Sequence, residues 1–153
     1  MSLQSGSPTT SPESSPQNRV PGVHAILGLR GSGKSCLLRV ICLAADRLIL
    51  IDTLGEHSQA GYVEHIETIA EIIERMEAPT FRLGYCPSPN GYEEVEYLER
   101  LCASRWDVTL AIDEMDKWYQ SSLAPLGDGL AAIVNYGRHF RQGIVATVRR
   151  PTA

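Results

Sequence analysis

Short apolar runs alternate with stretches of helical periodicity from Val20 onward. Five runs predict strands: HAILGL (24–29), RLILID (47–52), TFRLGYC (80–86), VTLAIDE (108–114) and GIVATV (143–148). Between them, apolar residues recur every three or four positions and predict helices over about 34–45, 62–77, 92–104 and 129–140. This alternation is typical of an α/β fold, in which helices cover a mostly parallel sheet of about five strands.

Two of these segments make the pattern more specific. Residues 108–114 are almost uninterruptedly apolar, as expected for a strand covered on both faces. Residues 62–77 carry Ile66, Ile69, Ile73 and Met76 at helical spacing, with the charged residues on the other side. We therefore expect a single amphipathic helix there.

Composition places the chain among ordinary globular proteins. It has 153 residues, of which 43% are hydrophobic and 21% charged, which suits one compact domain. Residues 1–18 contain 11 Ser, Thr or Pro and few large apolar groups, so they cannot offset the entropy of ordering. We expect a disordered tail over residues 1–20 and a folded core over 21–153, and leave open whether the core is complete at its C-terminal end.

Charge and cysteine content exclude several classes of protein. The formal net charge is -4, so a surface that is basic as a whole, as many nucleic-acid-binding proteins have, is not indicated. From Gly137 onward, however, there are four arginines and no acid, which makes a local basic face a candidate. The four cysteines have no metal-ligand spacing, and no apolar run approaches the ~20 residues of a membrane span. We expect a cytoplasmic protein with reduced thiols.

The stretch GLRGSGKS (28–35) has the spacing of a phosphate-binding loop. Glycines let the backbone curl around phosphate oxygens, and the helix that follows adds the partial positive charge of its N-terminus. Lys34 would span the β- and γ-phosphates, and the Ser35 hydroxyl would be a ligand of Mg²⁺. The alternative is a glycine-rich turn that only precedes a helix. The predicted nucleotide-binding residues are Gly28, Leu29, Arg30, Gly31, Ser32, Gly33, Lys34, Ser35 and Cys36.

Two acidic residues end the apolar strand 108–114. Ligands of α/β proteins bind at the carboxyl ends of the strands, where Asp113 and Glu114 lie. Asp113 would accept hydrogen bonds from water on Mg²⁺, and Glu114 would orient the water that attacks the γ-phosphate. The alternative is an acid pair that caps the next turn. Since no guanine-specific NKxD stretch occurs, adenine is the favoured base, and ATP the favoured nucleotide.

Four stretches together resemble the FtsK/HerA superfamily of P-loop ATPases, which includes DNA translocases and viral packaging or secretion motors. They are GLRGSGKS (28–35), IDTLGEH (51–57), TLAIDE (109–114) and GRHFRQGIVATVRRP (137–151). The resemblance implies a RecA-like three-layer sandwich of the class that has a catalytic glutamate. It also implies a homo-oligomeric ring and DNA as a candidate partner.

Further expectations come from the resemblance alone. The strand 143–148 should insert between strands 24–29 and 108–114, which leaves 24–29 at an edge of the sheet. The family usually has a glutamine that senses the γ-phosphate, and Arg149 occupies that position here. Arg138 matches an arginine that would reach the nucleotide of a neighbouring subunit. The alternatives are that Arg138 and Arg141 are a solvated pair and that Arg149 is only a surface charge.

The sequence thus predicts a Mg²⁺-dependent ATPase core of a DNA motor or packaging protein. The alternative is a non-hydrolysing ATP-binding module that controls assembly with a partner protein. A small-molecule kinase ranks last, because such an enzyme would need an arginine-rich lid and no Asp-Glu strand end.

Overall fold

The computed structural model describes residues 22–120 and 125–149. The expected tail over 1–20, together with Arg150 and Pro151, lies outside these residues. The described strands are β1 (Gly22–Gly28), β2 (Arg47–Ile51), β3 (Glu64–Ile66), β4 (Phe81–Tyr85), β5 (Thr109–Ile112) and β6 (Gly143–Arg149). They form one six-stranded sheet in the order β1-β6-β5-β2-β4-β3, and every described pairing is parallel. The α/β fold class is therefore confirmed, with one strand more than expected.

The helices form two layers, one on each face of the sheet. They are α1 (Lys34–Ala44), α2 (Glu56–Gln59), α3 (Ile69–Arg75), α4 (Tyr92–Ala103), α5 (Met115–Trp118) and α6 (Asp128–Tyr136), followed by a 3₁₀ helix (Gly137–Phe140). Buried side chains of α1 pack on one face of the sheet, and those of α3, α4, α5 and α6 pack on the other. The three-layer sandwich expected from the resemblance is the observed architecture.

Alternation along the strands decides which side chains reach each layer. Ala111 of β5 and Val145 of β6 pack with α1, whereas their neighbours Ile112 and Ile144 belong to the core on the opposite face. Side chains of a strand alternate between the two faces, so residue 113 lies on the α1 face. This places Asp113 on the same face as the start of α1.

The strand order agrees with the expectation at the end of the sheet that carries the glycine loop. β6 pairs with β1 on one side and with β5 on the other, so it separates them as expected. β1 lies at the edge of the sheet that the described residues form. Because β1, β6 and β5 are parallel neighbours, the phosphate-loop sequence after β1 and Asp113 after β5 lie at the same carboxyl edge of the sheet.

The single helix expected over 62–77 is wrong. Residues 64–66 form β3, which pairs with β4, and only 69–75 are helical. The helix begins where Thr68 caps it: the Thr68 hydroxyl accepts a hydrogen bond of 3.2 Å from the N–H of Glu71. Ile66, which fitted the helical spacing, is instead buried in the added strand. The pattern Thr-x-x-Glu is a helix-start signal that should have outweighed the periodicity.

Other boundaries differ less. The helix expected over 129–140 is α-helical only to Tyr136 and then narrows to a 3₁₀ turn. The strand expected over 108–114 ends at Ile112, so Asp113 and Glu114 belong to the turn that follows.

Cys42 and Cys102 are buried and Cys36 and Cys86 exposed, all as free thiols. No helix among residues 22–120 and 125–149 has the length and apolar character to cross a membrane.

Candidate functional site

The loop between β1 and α1 is shaped by its glycines. Gly31 and Gly33 have φ angles of +78° and +85°, in the left-handed region that other residues rarely adopt. A Cβ on Gly28 would lie 2.3 Å from Ser32 Oγ, so the Ser32 side chain could not keep its present position. Because α1 begins at Lys34, its unpaired N–H groups lie at the same turn. Residues 28–36 thus form a continuous turn of the kind that attracts anions.

The Lys34 side chain folds back over this turn. Its ammonium group donates hydrogen bonds to the carbonyl oxygens of Gly28, at 2.9 Å, and of Leu29, at 2.7 Å. An ammonium group has three donors, so these two bonds hold it in place and leave a third for an anion. The loop and Lys34 together provide a fixed positive charge beside a helix N-terminus.

Asp113 is held by two side chains on the same face of the sheet. The Thr147 hydroxyl donates a hydrogen bond of 2.6 Å to Asp113 Oδ1. His57 Nε2 lies 3.1 Å from Asp113 Oδ2. Burial alone would raise the pKa of Asp113, but the hydrogen bonds from His57 and Thr147 outweigh it and hold the pKa below its usual value. Asp113 is therefore a fixed, ionised carboxylate.

His57 is positioned by the turn that follows β2. The Asp52 carboxylate accepts hydrogen bonds from the backbone N–H groups of His57, at 3.3 Å, and Ser58, at 2.7 Å, and so fixes the start of α2. The Tyr62 hydroxyl contacts His57 Nδ1 on the other side of the ring. Burial would lower the pKa of His57, but the contact with Asp113 and the nearby acidic charges outweigh it and raise the pKa.

Two groups of this site suit Mg²⁺, which prefers oxygen ligands. Each carboxylate oxygen of Asp113 faces one partner, and a carboxylate oxygen has two acceptor positions. Asp113 therefore retains the capacity to accept from metal-bound water. Ser35, in the first turn of α1, is exposed and supplies a hydroxyl on the same face of the sheet. Asp52, His57 and Asp113 also place ligand atoms within 4.8 Å of one another, but Asp52 already caps α2.

Glu114 lies next to Asp113 but has a different partner. Its backbone N–H donates a hydrogen bond of 2.8 Å to Thr147 Oγ1, so Thr147 links both acidic residues to β6. Its carboxylate forms an ion pair with the Arg149 guanidinium, and this hydrogen bond raises the pKa of Arg149. The backbone N–H of Arg149 also donates a hydrogen bond of 3.3 Å to Asp116 Oδ1. The expected water-orienting residue and the residue at the sensor position therefore contact each other.

The comparisons with known proteins identify the fold that carries this site. No protein-family model and no curated protein sequence matches the chain. Among solved structures, the genome packaging NTPase B204 from Sulfolobus turreted icosahedral virus 2, in complex with AMP, is similar over 90% of this chain, with 16% identity and a TM-score of 0.60. The fold is that of a P-loop ATPase. The same NTPase in complex with AMPPCP matches 85% of this chain with 19% identity and a TM-score of 0.58.

A second protein with the P-loop ATPase fold is similar as well. Thermomonospora curvata EccC (ATPases 2 and 3), in complex with a signal sequence peptide, matches 84% of this chain with 16% identity and a TM-score of 0.50. These likenesses show the P-loop ATPase fold that the resemblance implied. This chain spans about two thirds of the packaging NTPase, 65% in the AMPPCP complex, and 25% of EccC.

Arg138 lies at the opposite edge of this P-loop ATPase fold from the phosphate loop. It belongs to the 3₁₀ turn before β6, and in a parallel sheet that turn is at the amino ends of the strands. Arg141 is in the same region and pairs with buried Asp107 at 3.4 Å. Arg149 is at the carboxyl edge, so the three described arginines, Arg138, Arg141 and Arg149, do not share the single basic face that the sequence made a candidate.

Sequence reasoning missed Thr147 and Tyr62 as parts of the site, and it included His57 only within the stretch IDTLGEH (51–57), without a role. A usable signal was the alternation along the strands. Thr147 follows Val145, and both lie on the face that α1 covers. A polar residue two positions beyond an apolar one on that face points towards Asp113. The roles proposed for the individual site residues remain predictions.

Glu99 is a second residue that the sequence analysis missed, on the other face of the P-loop ATPase fold. Its side chain is 0% exposed, and both of its carboxylate oxygens lie within hydrogen-bond distance of the Tyr119 hydroxyl, at 2.6 and 2.7 Å. Burial raises the pKa of Glu99 to about 7, although the Tyr119 hydrogen bond opposes the rise. A cavity beside it is lined by Tyr92, Trp118 and Leu126 among others.

Proposed function

We propose that this chain binds ATP with Mg²⁺ and hydrolyses it, as the motor core of a ring-forming ATPase that moves or packages DNA. One observation carries the proposal. The glycine turn at residues 28–36 lies at the start of α1, and the ionised Asp113 lies on the face of the sheet that α1 covers. The positive groups that would bind a nucleotide's phosphates and the carboxylate that would hold a divalent cation therefore lie on the same face of the sheet, at the same edge.

The residues of the turn would bind the phosphates. Backbone N–H groups of the turn and of the first turn of α1 would donate to phosphate oxygens, and Lys34 would neutralise charge with its remaining donor. Ser35 and Asp113 would hold Mg²⁺, Ser35 directly and Asp113 through water. When bound, Mg²⁺ would neutralise charge on the β- and γ-phosphates. Thr147 and His57 keep the Asp113 carboxylate in one orientation.

Glu114 would orient the attacking water, but only when its carboxylate is free of Arg149. The Arg149 guanidinium can instead bind phosphate oxygens, which are stronger anionic partners than one carboxylate. Transfer of Arg149 from Glu114 to the γ-phosphate would then release the Glu114 carboxylate to accept a hydrogen bond from water. In this scheme Arg149 takes the place of the glutamine that the family usually has.

The DNA and ring parts of the proposal have two sources. They come from the resemblance of the motifs and from the name of the packaging NTPase, which describes that protein. The position of Arg138 is compatible with action on another subunit, because within its own chain it lies at the far edge of the sheet. A second candidate, an ATP-binding module that does not hydrolyse, is favoured by the ion pair between Glu114 and Arg149.

The test combines binding and turnover. ATP binding by calorimetry, with and without Mg²⁺, should be lost in Lys34→Ala and retained in Glu114→Gln. Phosphate release should fall by 10²-fold or more in Glu114→Gln. The exposed Glu93→Gln on α4 is the matched control and should leave the rate unchanged.

Three results would count against the proposal. A folded protein that fails to bind ATP would overturn all of it. Binding without a loss of phosphate release in Glu114→Gln would favour the assembly module. A rate that double- and single-stranded DNA leave unchanged would remove the DNA motor and keep the ATPase.

A further inference from the structure

The peptide group that joins Asp113 to Glu114 is held from both sides by threonine hydroxyls. Its C=O accepts a hydrogen bond from the Thr53 hydroxyl, and its N–H donates one of 2.8 Å to Thr147 Oγ1. Thr53 lies in the turn after β2, and Thr147 belongs to β6, so the two threonines come from the strands on either side of β5. The C=O and N–H of a trans peptide point in opposite directions, so together the two hydroxyls fix the plane of this group. We call Thr53 and Thr147 the threonine clamp.

Trp118 determines the direction in which the Thr53 hydroxyl donates. The indole N–H of Trp118 donates a hydrogen bond of 2.9 Å to Thr53 Oγ1. An indole nitrogen only donates and a hydroxyl has one hydrogen, so the hydrogen of Thr53 is left for the Asp113 carbonyl oxygen. Thr53 and Trp118 are 4% and 6% exposed, so water competes little for either bond. The Thr53 hydroxyl is therefore fully used and has one orientation.

The two members of the clamp differ in what else they hold. The Thr147 hydroxyl, besides accepting from Glu114, donates a hydrogen bond of 2.6 Å to the Asp113 carboxylate. The Thr53 hydroxyl contacts the backbone of Asp113 and leaves its carboxylate to Thr147 and His57. A change at Thr53 consequently releases the peptide group without removing a partner of the Asp113 side chain.

The clamp holds Glu114 in a backbone conformation that it would not prefer alone. Its φ of +53° lies in the left-handed region, which residues other than glycine seldom adopt. Such a conformation persists only where the surrounding contacts determine it. Without the Thr53 hydrogen bond, the peptide group could rotate and Glu114 could relax towards negative φ. The Glu114 side chain would then leave its present direction.

We propose that Thr53 is a positioning residue for ATP hydrolysis, which acts by holding the peptide between Asp113 and Glu114. The inference rests on the proposed ATPase function, in which the Glu114 carboxylate orients the attacking water. In that scheme Thr53 contacts neither the nucleotide nor the metal. A misplacement of about 1 Å in a reacting geometry can lower a rate about 10²-fold, so a hydroxyl that does not contact the substrate still controls the rate.

Thr53→Val tests the inference, because valine has nearly the shape of threonine but no hydroxyl. The rate of phosphate release at saturating ATP and Mg²⁺ should fall about 10-fold or more. The Kd for ATP from calorimetry should stay unchanged, because Lys34 and the glycine turn keep their places. Thr53→Ser keeps the hydroxyl and should restore most of the rate. Thr109→Val is the matched control, since it removes another buried threonine hydroxyl at the amino end of β5, and it should leave the rate unchanged.

Hydrogen exchange in the protein without nucleotide tests the clamp separately from turnover. Exchange of the Glu114 amide and of the Trp118 indole N–H, followed by NMR, should be about 10-fold faster in Thr53→Val than in wild type. The indole N–H of Trp106 is the internal reference and should not change. Urea unfolding shows whether each variant is folded. If Thr53→Val does not fold, Trp118→Phe replaces it, because it removes the indole donor that orients the Thr53 hydroxyl. Trp118→Phe should lower the rate and leave the Kd for ATP unchanged.

The possible outcomes separate this inference from the proposed function. An active wild type with an equally active Thr53→Val, or with an equally active Trp118→Phe where that variant replaces it, would overturn the inference and keep the ATPase. Equal losses in Thr53→Val and Thr53→Ser would also overturn it, because the hydroxyl would then not be the cause. A parallel loss of ATP binding and rate would indicate general damage to the site and contradict a positioning role. A wild type that binds ATP but releases no phosphate would overturn the hydrolysis and this inference together.

Discussion

Glu99 should make the stability of the folded protein depend on pH. Its side chain is fully buried on α4, and the Tyr119 hydroxyl is shared between its two oxygens. Burial raises its pKa from 4.5 to about 7. The folded protein therefore binds the proton more tightly than the unfolded chain does. The perturbation is Glu99→Gln, which keeps the shape and a polar partner for Tyr119 but cannot ionise.

The magnitude follows from the two pKa values. The difference between about 7 and 4.5 corresponds to about 3 kcal/mol, at roughly 1.4 kcal/mol per pKa unit. Because the folded-state pKa is the higher one, this contribution to stability is fully present below pH 4.5 and is lost as pH rises through about 7. Glu99→Gln should consequently gain about 2 to 3 kcal/mol relative to wild type between pH 5 and pH 8.

Urea unfolding at pH 5, 6, 7 and 8 measures this difference. Other titrating groups contribute equally to both proteins, so the difference between the two free energies of unfolding isolates Glu99. Glu96→Gln is the control, since Glu96 lies on the same helix, is exposed and pairs with Arg100 at 2.6 Å. It should follow the wild-type pH profile. Parallel profiles for wild type and Glu99→Gln would refute the reasoning.

Two further substitutions test the packing of the helices and the partner of Glu114. A Cβ on Gly129 would lie 2.4 Å from the backbone N of Arg100, so Gly129→Ala must force α6 away from α4. We expect a loss of about 1–3 kcal/mol in urea unfolding, and an unchanged midpoint would contradict this contact. Arg149→Gln removes the exposed ion pair with Glu114, so stability should change by no more than about 0.5 kcal/mol. Phosphate release should fall severalfold, because glutamine lacks the positive charge with which Arg149 would bind the γ-phosphate, and an unchanged or higher rate would contradict the proposed role of Arg149.

The sequence correctly predicted those strands and helices whose apolar pattern is contained in a single stretch of the chain. Five apolar runs correspond to strands because each is long enough to be read without its partners. β3 was missed because only three residues form it and two of them, Glu64 and His65, are polar and exposed. The strand exists through its pairing with β4, which is a tertiary effect that periodicity does not contain.

The candidate site divides in the same way. The phosphate loop and Asp113 were found because their spacing and their position after a strand are local. The contact between His57 and Asp113 joins residues from two different turns, so no local pattern contains it. Glu99 is an exception, because it follows buried Val95 by four positions on the same helix. That spacing could have predicted its burial.

The backbone at Glu114 has a consequence for what sequence this position can hold. Its φ of +53° is the left-handed region, where a residue other than glycine costs on the order of 1 kcal/mol. Glycine adopts this φ angle without strain, and asparagine adopts it more readily than glutamate does. A glutamate at this φ angle is less stable than glycine or asparagine would be. Without selection for its carboxylate, mutation would therefore tend to replace it. Homologous chains that keep Glu114 at this angle are thus under a requirement that folding alone does not impose.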